Sequence, residues 1–522
     1  MSFSAIVSRK ITYGLIFIVI VTLLIGVTGK FVPGGFIPEE DQGYVYVNIQ
    51  LPDASSLQRT SEVVEQVKKI IKKYDGVEMV TSAAGFSVLS GGMSTNAAVM
   101  FLTLKDWDER KMTARQLTQA LNAEFGNKIK DAIVFAFGPP AIPGLGSGSG
   151  FTLMIQDKGG NTPEYLDQQA KKFIAAAKKR PEIGSVFTSY QGAVPQIYLD
   201  INKDLAMKAG VELNDLYNTI STYLGGSYVN DFNRFGRLYK AYVMAKPEYR
   251  QTPDQLNLFF VKNRDGENVP LSALVTVHHV SGPEYTNRFN LYRSVELSGA
   301  PAKGYSSAQA LDALEEVARE VLPHDMGYAW ANMSYQERAS AGSGNIVFIF
   351  ALVFVFLILA AQYESWSLPF SILLGTPFAI FGAMLFLFVA RFFSETFENN
   401  VFAQISFVML IAMAAKNAIL IVEFAKMKFD EGLSLFDAAM EAARLRFRPI
   451  LMTAFSFIFG VFPLVMAAGA GAEARKVMGM ALLGGMTLAT LLGVFLYPML
   501  FVFIGKIAGY EKKREKQKEP TS

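Results

Sequence analysis

The sequence predicts an α-helical membrane protein with six transmembrane helices and one large α+β domain outside the membrane, and three observations carry that prediction. Long apolar runs occur once near the start and five times after residue 344. The stretch between them is polar and alternates strand-like with helix-like segments. A single cation, Lys416, stands near the middle of one apolar run. Mean hydropathy is +0.25 while 18% of the 522 residues are charged, as expected of a chain divided between lipid and water.

A hydrocarbon core of ~30 Å needs about 20 mostly apolar residues in helical form. The expected spans run approximately Ile11–Gly29, Asn345–Gln362, Pro369–Ala390, Val401–Ala425, Ile450–Gly469 and Val477–Ile504. Basic residues of short loops are retained on the cytoplasmic side. Arg9 and Lys10, then Lys426, Lys428, Arg444, Arg446 and Arg448, then Lys506, Lys512, Lys513, Arg514, Lys516 and Lys518 all fall on one side. The opposite loops hold only Arg391, Arg475 and Lys476, so both termini are expected in the cytoplasm and the polar stretch outside. The first apolar run lacks a small-residue cleavage pattern and continues into acidic Glu39-Glu40-Asp41, which predicts a retained signal anchor.

The outer stretch reads as βα units. Gly43–Leu51 alternates as a strand does, and Ser56–Lys73 has helical periodicity opened by a serine cap. Strands at Val77–Ala83 and Ala97–Leu104, a helix at Thr113–Phe125 and a strand at Ala132–Phe137 complete the order β-α-β-β-α-β of a split βαβ, ferredoxin-like motif. A second copy is expected from Phe151–Gln156, with a helix at Pro163–Lys179, strands near Gly184–Tyr190 and Pro195–Asp200, and a helix at Leu213–Leu224. The stretch 225–290 is richer in short strands and reads as an insertion, with helical periodicity returning at Ser306–Glu320. With no cysteine in the chain, this outer domain must hold by core packing alone.

Composition and motifs exclude several function classes. The net charge of +3 comes mostly from the basic tail, which suits an anionic inner leaflet better than nucleic acid. The glycine-rich run Gly144–Gly150 lacks the Gly-Lys-Ser/Thr ending of a nucleotide loop and reads as a linker. His278, His279 and His324 have no metal-ligand spacing, and no Ser-His-Asp arrangement is visible. The expectation is a protein that is not an enzyme, binds no metal or cofactor, and draws its energy from an ion gradient.

Lys416 carries the functional argument. A charge at bilayer depth costs roughly 2.5–3.5 kcal/mol on insertion scales, so it marks a functional site with an anionic partner. Snorkelling to the headgroups would require about 15 Å of reach, beyond a lysine stem. No other expected span has an Asp or Glu at its centre, so Lys416 needs either a buried partner from outside these segments or a water-filled path. Thr453 lies about one turn from the basic cluster Arg444, Arg446 and Arg448, where its hydroxyl relays a proton, bonds across to another helix, or bonds back within its own. The segment Ala84–Asn96 is longer and richer in glycine than a hairpin needs, and reads either as a gate over a cavity or as a plain surface loop. Phe86, Phe101, Phe135, Phe137 and Phe151 either line a cavity or fill the cores.

Several runs together resemble one known family. They are AAKNAILIVEFAK (Ala414–Lys426), RPILMTAFSFIFGVFPL (Arg448–Leu464), YESWSLPFSILL (Tyr363–Leu374), LGGSYVNDF (Leu224–Phe232), NMSYQER (Asn332–Arg338) and FIPEEDQG (Phe36–Gly43). The chain is similar to the resistance-nodulation-division (RND) superfamily, in its hydrophobe/amphiphile multidrug efflux branch. The likeness covers the second of the two repeats that make up a usual member.

That resemblance implies a proton relay of Lys416, Asn417, Thr453 and Arg446, with the lysine pairing with two aspartates of the first repeat. It implies substrate contacts at Phe86, Phe101 and Phe151, the last in an outer access pocket, and a switch loop containing Gly85, Gly91 and Gly92. The implied domains are an N-terminus and first span (1–30), ferredoxin-like porter subdomains (31–224), an inserted docking subdomain (225–280), a returning porter segment (281–344), five spans (345–505) and a basic tail (506–522). Implied partners are an N-terminal RND half, a trimeric assembly, a periplasmic adaptor, an outer-membrane channel and the bilayer of the bacterial inner membrane, with no nucleic acid. Thr81 and Val88 stand where the family has aromatic and apolar pocket residues, and the switch loop is longer. The expected function is the second half of a proton-driven exporter of amphiphilic or hydrophobic compounds. The alternatives are a fragment that does not transport, or a membrane-anchored periplasmic binding or assembly module.

Overall fold

A computed structural model of the chain describes residues 11–511. The basic residues Arg9, Lys10, Lys512, Lys513, Arg514, Lys516 and Lys518 used above for orientation lie outside it. Helix α1 (Ile11–Phe31) leads into strand β1 (Tyr44–Gln50), helix α2 (Leu57–Ile71), strands β2 (Val77–Phe86) and β3 (Met93–Leu104), helix α3 (Ala114–Lys128) and strand β4 (Ile133–Phe137). The sheet order β2-β3-β1-β4 is that of the expected split βαβ unit. Local chemistry starts both helices: Ser56 accepts from the Arg59 N–H, and Thr113 and Gln116 form a capping box. Val63, Val67, Ile70 and Ile71 of α2 and Leu117, Leu121 and Phe125 of α3 then bury against Val45, Val47, Ile49, Met100 and Leu102 on one face of the sheet.

The segment Ala84–Asn96 is mostly strand. Ladder pairing continues to Phe86 opposite Met93, leaving only Ser87–Gly92 as the connection. That connection is closed by Gly91 N–H to Ser87 O at 2.9 Å and Ser87 N–H to Gly92 O at 2.9 Å.

The second sandwich departs from expectation. It opens with β5 (Phe151–Asp157), α4 (Pro163–Ala177) and β6 (Ile183–Phe187). An insertion then intervenes, made of β7 (Val194–Ile201), α5 (Lys203–Lys208), α6 (Leu213–Ile220), β8 (Ser227–Arg234), β9 (Arg237–Val243), β10 (Phe260–Lys262), β11 (Asn268–Pro270), the single turn α7 (Leu271–Leu274) and β12 (Val275–Gly282). The sandwich resumes with β13 (Asn287–Phe289), β14 (Tyr292–Pro301), α8 (Ser307–Val321) and β15 (Met326–Trp330). Its sheet runs β13-β14-β5-β15 with β6 also on β14. The strand expected at Pro195–Asp200 and the helix at Leu213–Leu224 therefore belong to the insertion, and β14 and α8 take their places. Periodicity cannot distinguish two strands of similar pattern; the buried Val295 and Leu297 of β14, registered on Ile155 and Leu153 of β5, decide it.

The insertion is a compact unit from Gln191 to Tyr285. Its first and last strands pair from Val194 opposite Gly282 to Ile201 opposite Val275, and Leu216, Leu256, Phe259, Val261, Leu271 and Leu274 form its core. It thus starts well before residue 225, because β7 is needed to complete the ladder with β12.

After α9 (Asn332–Ser340) the helices α10 (Ser343–Tyr363), α11 (Leu368–Leu373), α12 (Thr376–Arg391), α13 (Val401–Asp430), α14 (Leu435–Val465) and α15 (Ala472–Ile507) follow. Among the described residues five stretches are long and apolar enough to cross a membrane: Ile346–Tyr363, Leu368–Arg391, Val401–Asp430, Leu435–Val465 and Ala472–Ile507. Helix α1 contributes the shorter apolar stretch Ile16–Phe31. The region of Arg444, Arg446 and Arg448 is helical rather than loop. Ser434 accepts from the Asp437 N–H at 3.1 Å, and the alanine-rich turns that follow sustain α14 into the apolar run. Helix α15 is the most enclosed, and glycines let α12 meet it closely: a Cβ on Gly382 would come within 2.4 Å of Gly484 O, and one on Gly484 within 2.4 Å of Phe386 Cβ.

Candidate functional site

Helix α13 places Lys416 fifteen residues from Val401 and fourteen from Asp430. Its exposed positions are Ile405, Met409, Ala412, Lys416, Glu423, Met427 and Asp430, spaced by three, four or seven residues, so they form one uncovered stripe. The opposite stripe, with Ala414, Ala418, Ile421 and Ala425, is buried in the bundle. Lys416 is therefore presented outward at mid-helix. The ion pairs of α13 among the described residues lie near its end, Lys426 with Asp430 and Lys428 with Glu431 at 2.6 Å, and Lys416 has none.

The other three relay positions are not gathered around it. Asn417 is buried on the adjacent face, with Nδ2 3.5 Å from Thr490 Oγ1 of α15. Thr453 donates its hydroxyl to Ile450 O at 3.0 Å, the back-bond within its own helix. Arg446 lies with its guanidinium 4.6 Å from the centroid of the Phe424 ring, a cation–π contact between α14 and α13, and its Nε has no hydrogen-bond partner among the described residues.

In the outer domain, strand pairing assembles an aromatic wall that single positions do not reveal. The face of the first sheet turned away from α2 and α3 carries Tyr46, Phe101, Phe135 and Phe137, because Tyr46 stands opposite both Phe101 and Phe137 and Asn48 opposite Phe135. Tyr46 meets Phe101 at 5.3 Å and Phe137 at 5.6 Å, edge to face. Phe135 reaches Phe187 of β6 at 4.3 Å, joining the two sandwiches. On the second sheet, Ser298 pairs with both Phe187 and Thr152, so Glu296, two residues away, shares that side. Burial raises the Glu296 carboxyl above the usual range, partly opposed by a hydrogen bond from Ser298.

The expected pocket residues are distributed differently. Phe101 is on the wall and exposed. Phe86 stands at the end of β2 beside the Ser87–Gly92 connection. Phe151 is only 3% exposed and packs against Gly299, on the helix-covered side with Leu153 and Ile155. Gly85 and Gly91 have φ of +89° and +68°, which glycine adopts readily, whereas Gly92 does not have a positive φ. Tyr46, Phe187 and Glu296 were missed because their shared face follows from register.

A further cluster joins the outer domain to the bundle. Glu398, just before α13, lies 3.4 Å from Arg391 at the end of α12, while Arg115 of α3 reaches Glu39 at 3.4 Å and Glu395 at 3.5 Å. Burial pushes the Glu398 carboxyl up to about 7, overcoming the attraction of Arg391 and Arg115, and nearby Glu337 adds to the rise. His278 and His279 are exposed on β12, and no group of three or more metal-ligating side chains occurs among the described residues.

A profile of the AcrB/AcrD/AcrF family matches residues 2–505, nearly the whole length of the chain. The chain belongs to the AcrB/AcrD/AcrF family. It is 39% identical over 523 residues to the multidrug/solvent efflux pump membrane transporter MepB of Pseudomonas putida, covering 99% of this chain and 49% of that protein. It is 40% identical over 479 residues to the multidrug export protein AcrF of Escherichia coli strain K12, covering 90% of this chain and 46% of that one. Multidrug resistance protein MdtF of the same strain is 37% identical over 487 residues, again matching 46% of the relative. The chain spans about half the length of the curated AcrB/AcrD/AcrF relatives it matches. By their printed names MepB is a membrane transporter and AcrF an export protein.

Proposed function

We propose that this chain acts as the second repeat of a proton-driven RND pump that exports hydrophobic or amphiphilic compounds, and that it works together with an N-terminal repeat. The observation that carries the reading is Lys416, outward on α13 at mid-helix with no carboxylate among the described residues to pair with it. A bare ammonium at that depth is costly, so an anionic neighbour from the other repeat would stabilise the assembly. Protonation of that neighbour would release Lys416 and let α13 shift against its partner, and the outer sandwiches would change conformation with it.

In this reading α1 is a sixth span, both termini face the cytoplasm of a bacterium, and the outer sandwiches are porter subdomains with the insertion as a docking subdomain. Asn417, Thr453 and Arg446 serve the relay, Phe86, Phe101 and Phe151 the substrate path, and Gly85, Gly91 and Gly92 the switch loop. Trimer formation, an adaptor and an outer-membrane channel belong to the same proposal, and the energy source is the proton gradient without a cofactor. The relatives' printed names, multidrug and solvent efflux, support the substrate class.

The test is export of a fluorescent amphiphile from cells that make this chain together with the N-terminal repeat of the family. Export at wild type that falls to background in Lys416→Met, at equal membrane abundance, is the expected outcome. Undiminished export by Lys416→Met would refute the role of the lysine, and export by this chain without the other repeat would refute the need for it.

A further inference from the structure

The acidic run Glu39-Glu40-Asp41 meets the first turns of two helices, α15 and α3. The first turn of α15 begins after Gly471, which has no side chain to cap it. Its amides are instead held from far away in sequence: Glu40 accepts from Glu473 N–H at 3.1 Å and from Ala474 N–H at 2.7 Å, one bond to each carboxylate oxygen. The Glu473 side chain is engaged elsewhere, by Thr396 at 2.7 Å and Lys476 at 2.8 Å. The next residue does the same for the outer domain. Asp41 accepts from Ala114 N–H, the first residue of α3, at 2.7 Å, and from Arg110 at 2.6 Å. Hydrogen bonds from Arg110, Ala114 and Gly43 hold the Asp41 carboxyl below its ordinary value although burial pushes the other way. Trp107 closes the junction by donating to Asp41 O at 3.2 Å, with its ring beside Gly469 in the turn before α15.

Three residues after Asp41 the chain enters β1, the strand that pairs with both β3 and β4. Two consecutive carboxylates thus fasten a membrane helix and a domain helix to one short segment. Charge-assisted bonds to helix amides are directional and strong for their size, so such a link transmits displacement rather than absorbing it. The Arg115 bridge to Glu39 is longer and exposed, and is the weakest part of the junction.

We propose that Glu40 is a positioning residue through which movement of α15 is delivered to β1 and α3. The coupling role rests on the transport reading above; the mechanical link does not.

The chain has no cysteine, so spin labels can be placed at will. With Gln119→Cys on α3 and Ala470→Cys before α15, the labelled chain in lipid nanodiscs with the N-terminal repeat should give a narrow distance distribution. Glu40→Gln, which keeps the shape but leaves one oxygen to accept, should broaden it, while Thr113→Ala at the local cap of α3 should not. An unchanged width in Glu40→Gln overturns the link. In cells, at membrane abundance equal to wild type, Glu40→Gln should lower the maximal export rate at least tenfold with the half-saturating concentration unchanged. Retained maximal rate overturns the coupling role. If the wild type exports nothing, the transport reading fails and the distances still decide the link. Should Glu40→Gln not accumulate, Glu40→Asp, too short to reach both amides, is read the same way.

Discussion

The fold treats Lys416 and Glu398 differently. Lys416 was legible in sequence because a cation in an apolar run needs no partner to be noticed, and the structure adds that it faces outward. Glu398 was not legible, since its burial arises where the α12–α13 turn meets Pro33 and Phe36 through Asn399 N–H to Pro33 O at 3.1 Å and Val401 N–H to Phe36 O at 3.1 Å. Its pKa predicts a pH dependence with a definite sign. Below its ordinary value of 4.5 the carboxyl is protonated folded or unfolded; above about 7 it is ionised in both. Between those values only the folded state keeps the proton, so stability falls as pH rises, by on the order of 3 kcal/mol for a carboxyl this enclosed. Thermal unfolding of the chain in nanodiscs from about pH 4 to about pH 8 should show that decline in wild type and a flatter profile in Glu398→Gln. Thr453 gives a weaker expectation: since its hydroxyl bonds back to Ile450 O, Thr453→Val should change the melting temperature little, and any loss of export in that variant would then be a matter of protons rather than folding.

At the level of elements, close helix contact and turn geometry set the most specific constraints. Gly382, Gly484 and Gly485 let α12 and α15 approach at backbone distance, where packing in lipid is strongest. Gly484→Ala should cost about 1–3 kcal/mol, because its added methyl meets Phe386 Cβ and Gly382 O, neither of which is a flexible chain end. A lower melting temperature in nanodiscs checks this, and an unchanged one would mean that the two helices separate freely. In the outer domain, Gly91 sits at φ +68° with open space around it, so Gly91→Ala should cost only about 1 kcal/mol of backbone strain without a clash. Proteolysis confined to the Ser87–Gly92 connection would register that small loosening. The expected starts of α2, α3, α4 and α8 fall within one residue of those observed, where Ser56, Thr113, Thr162 and Ser306 each accept from an amide three residues on. Helix α15 begins at Ala472, ahead of the apolar span expected from Val477, with Glu40 from another part of the chain accepting from its first amides.

At the scale of the whole molecule, the insertion from Gln191 to Tyr285 has its own core and adjacent ends, Val194 opposite Gly282. Produced alone, residues 191–285 should unfold cooperatively in urea, and a gradual loss of circular dichroism would show that the unit depends on the rest of the chain. The sequence by itself determined the membrane class and the first sandwich, and it singled out Lys416. Each of these follows from hydropathy over a window, from a period of two or 3.6, or from one charge in the wrong solvent, all of which are local quantities. Only the tertiary structure decided that β14 and α8 complete the second sandwich, that Tyr46, Phe101, Phe137 and Phe187 share a wall with Glu296, and that Glu40 caps α15. Those depend on which distant segments meet, and meeting is settled by the burial and hydrogen bonding of both partners together, which neither segment carries alone.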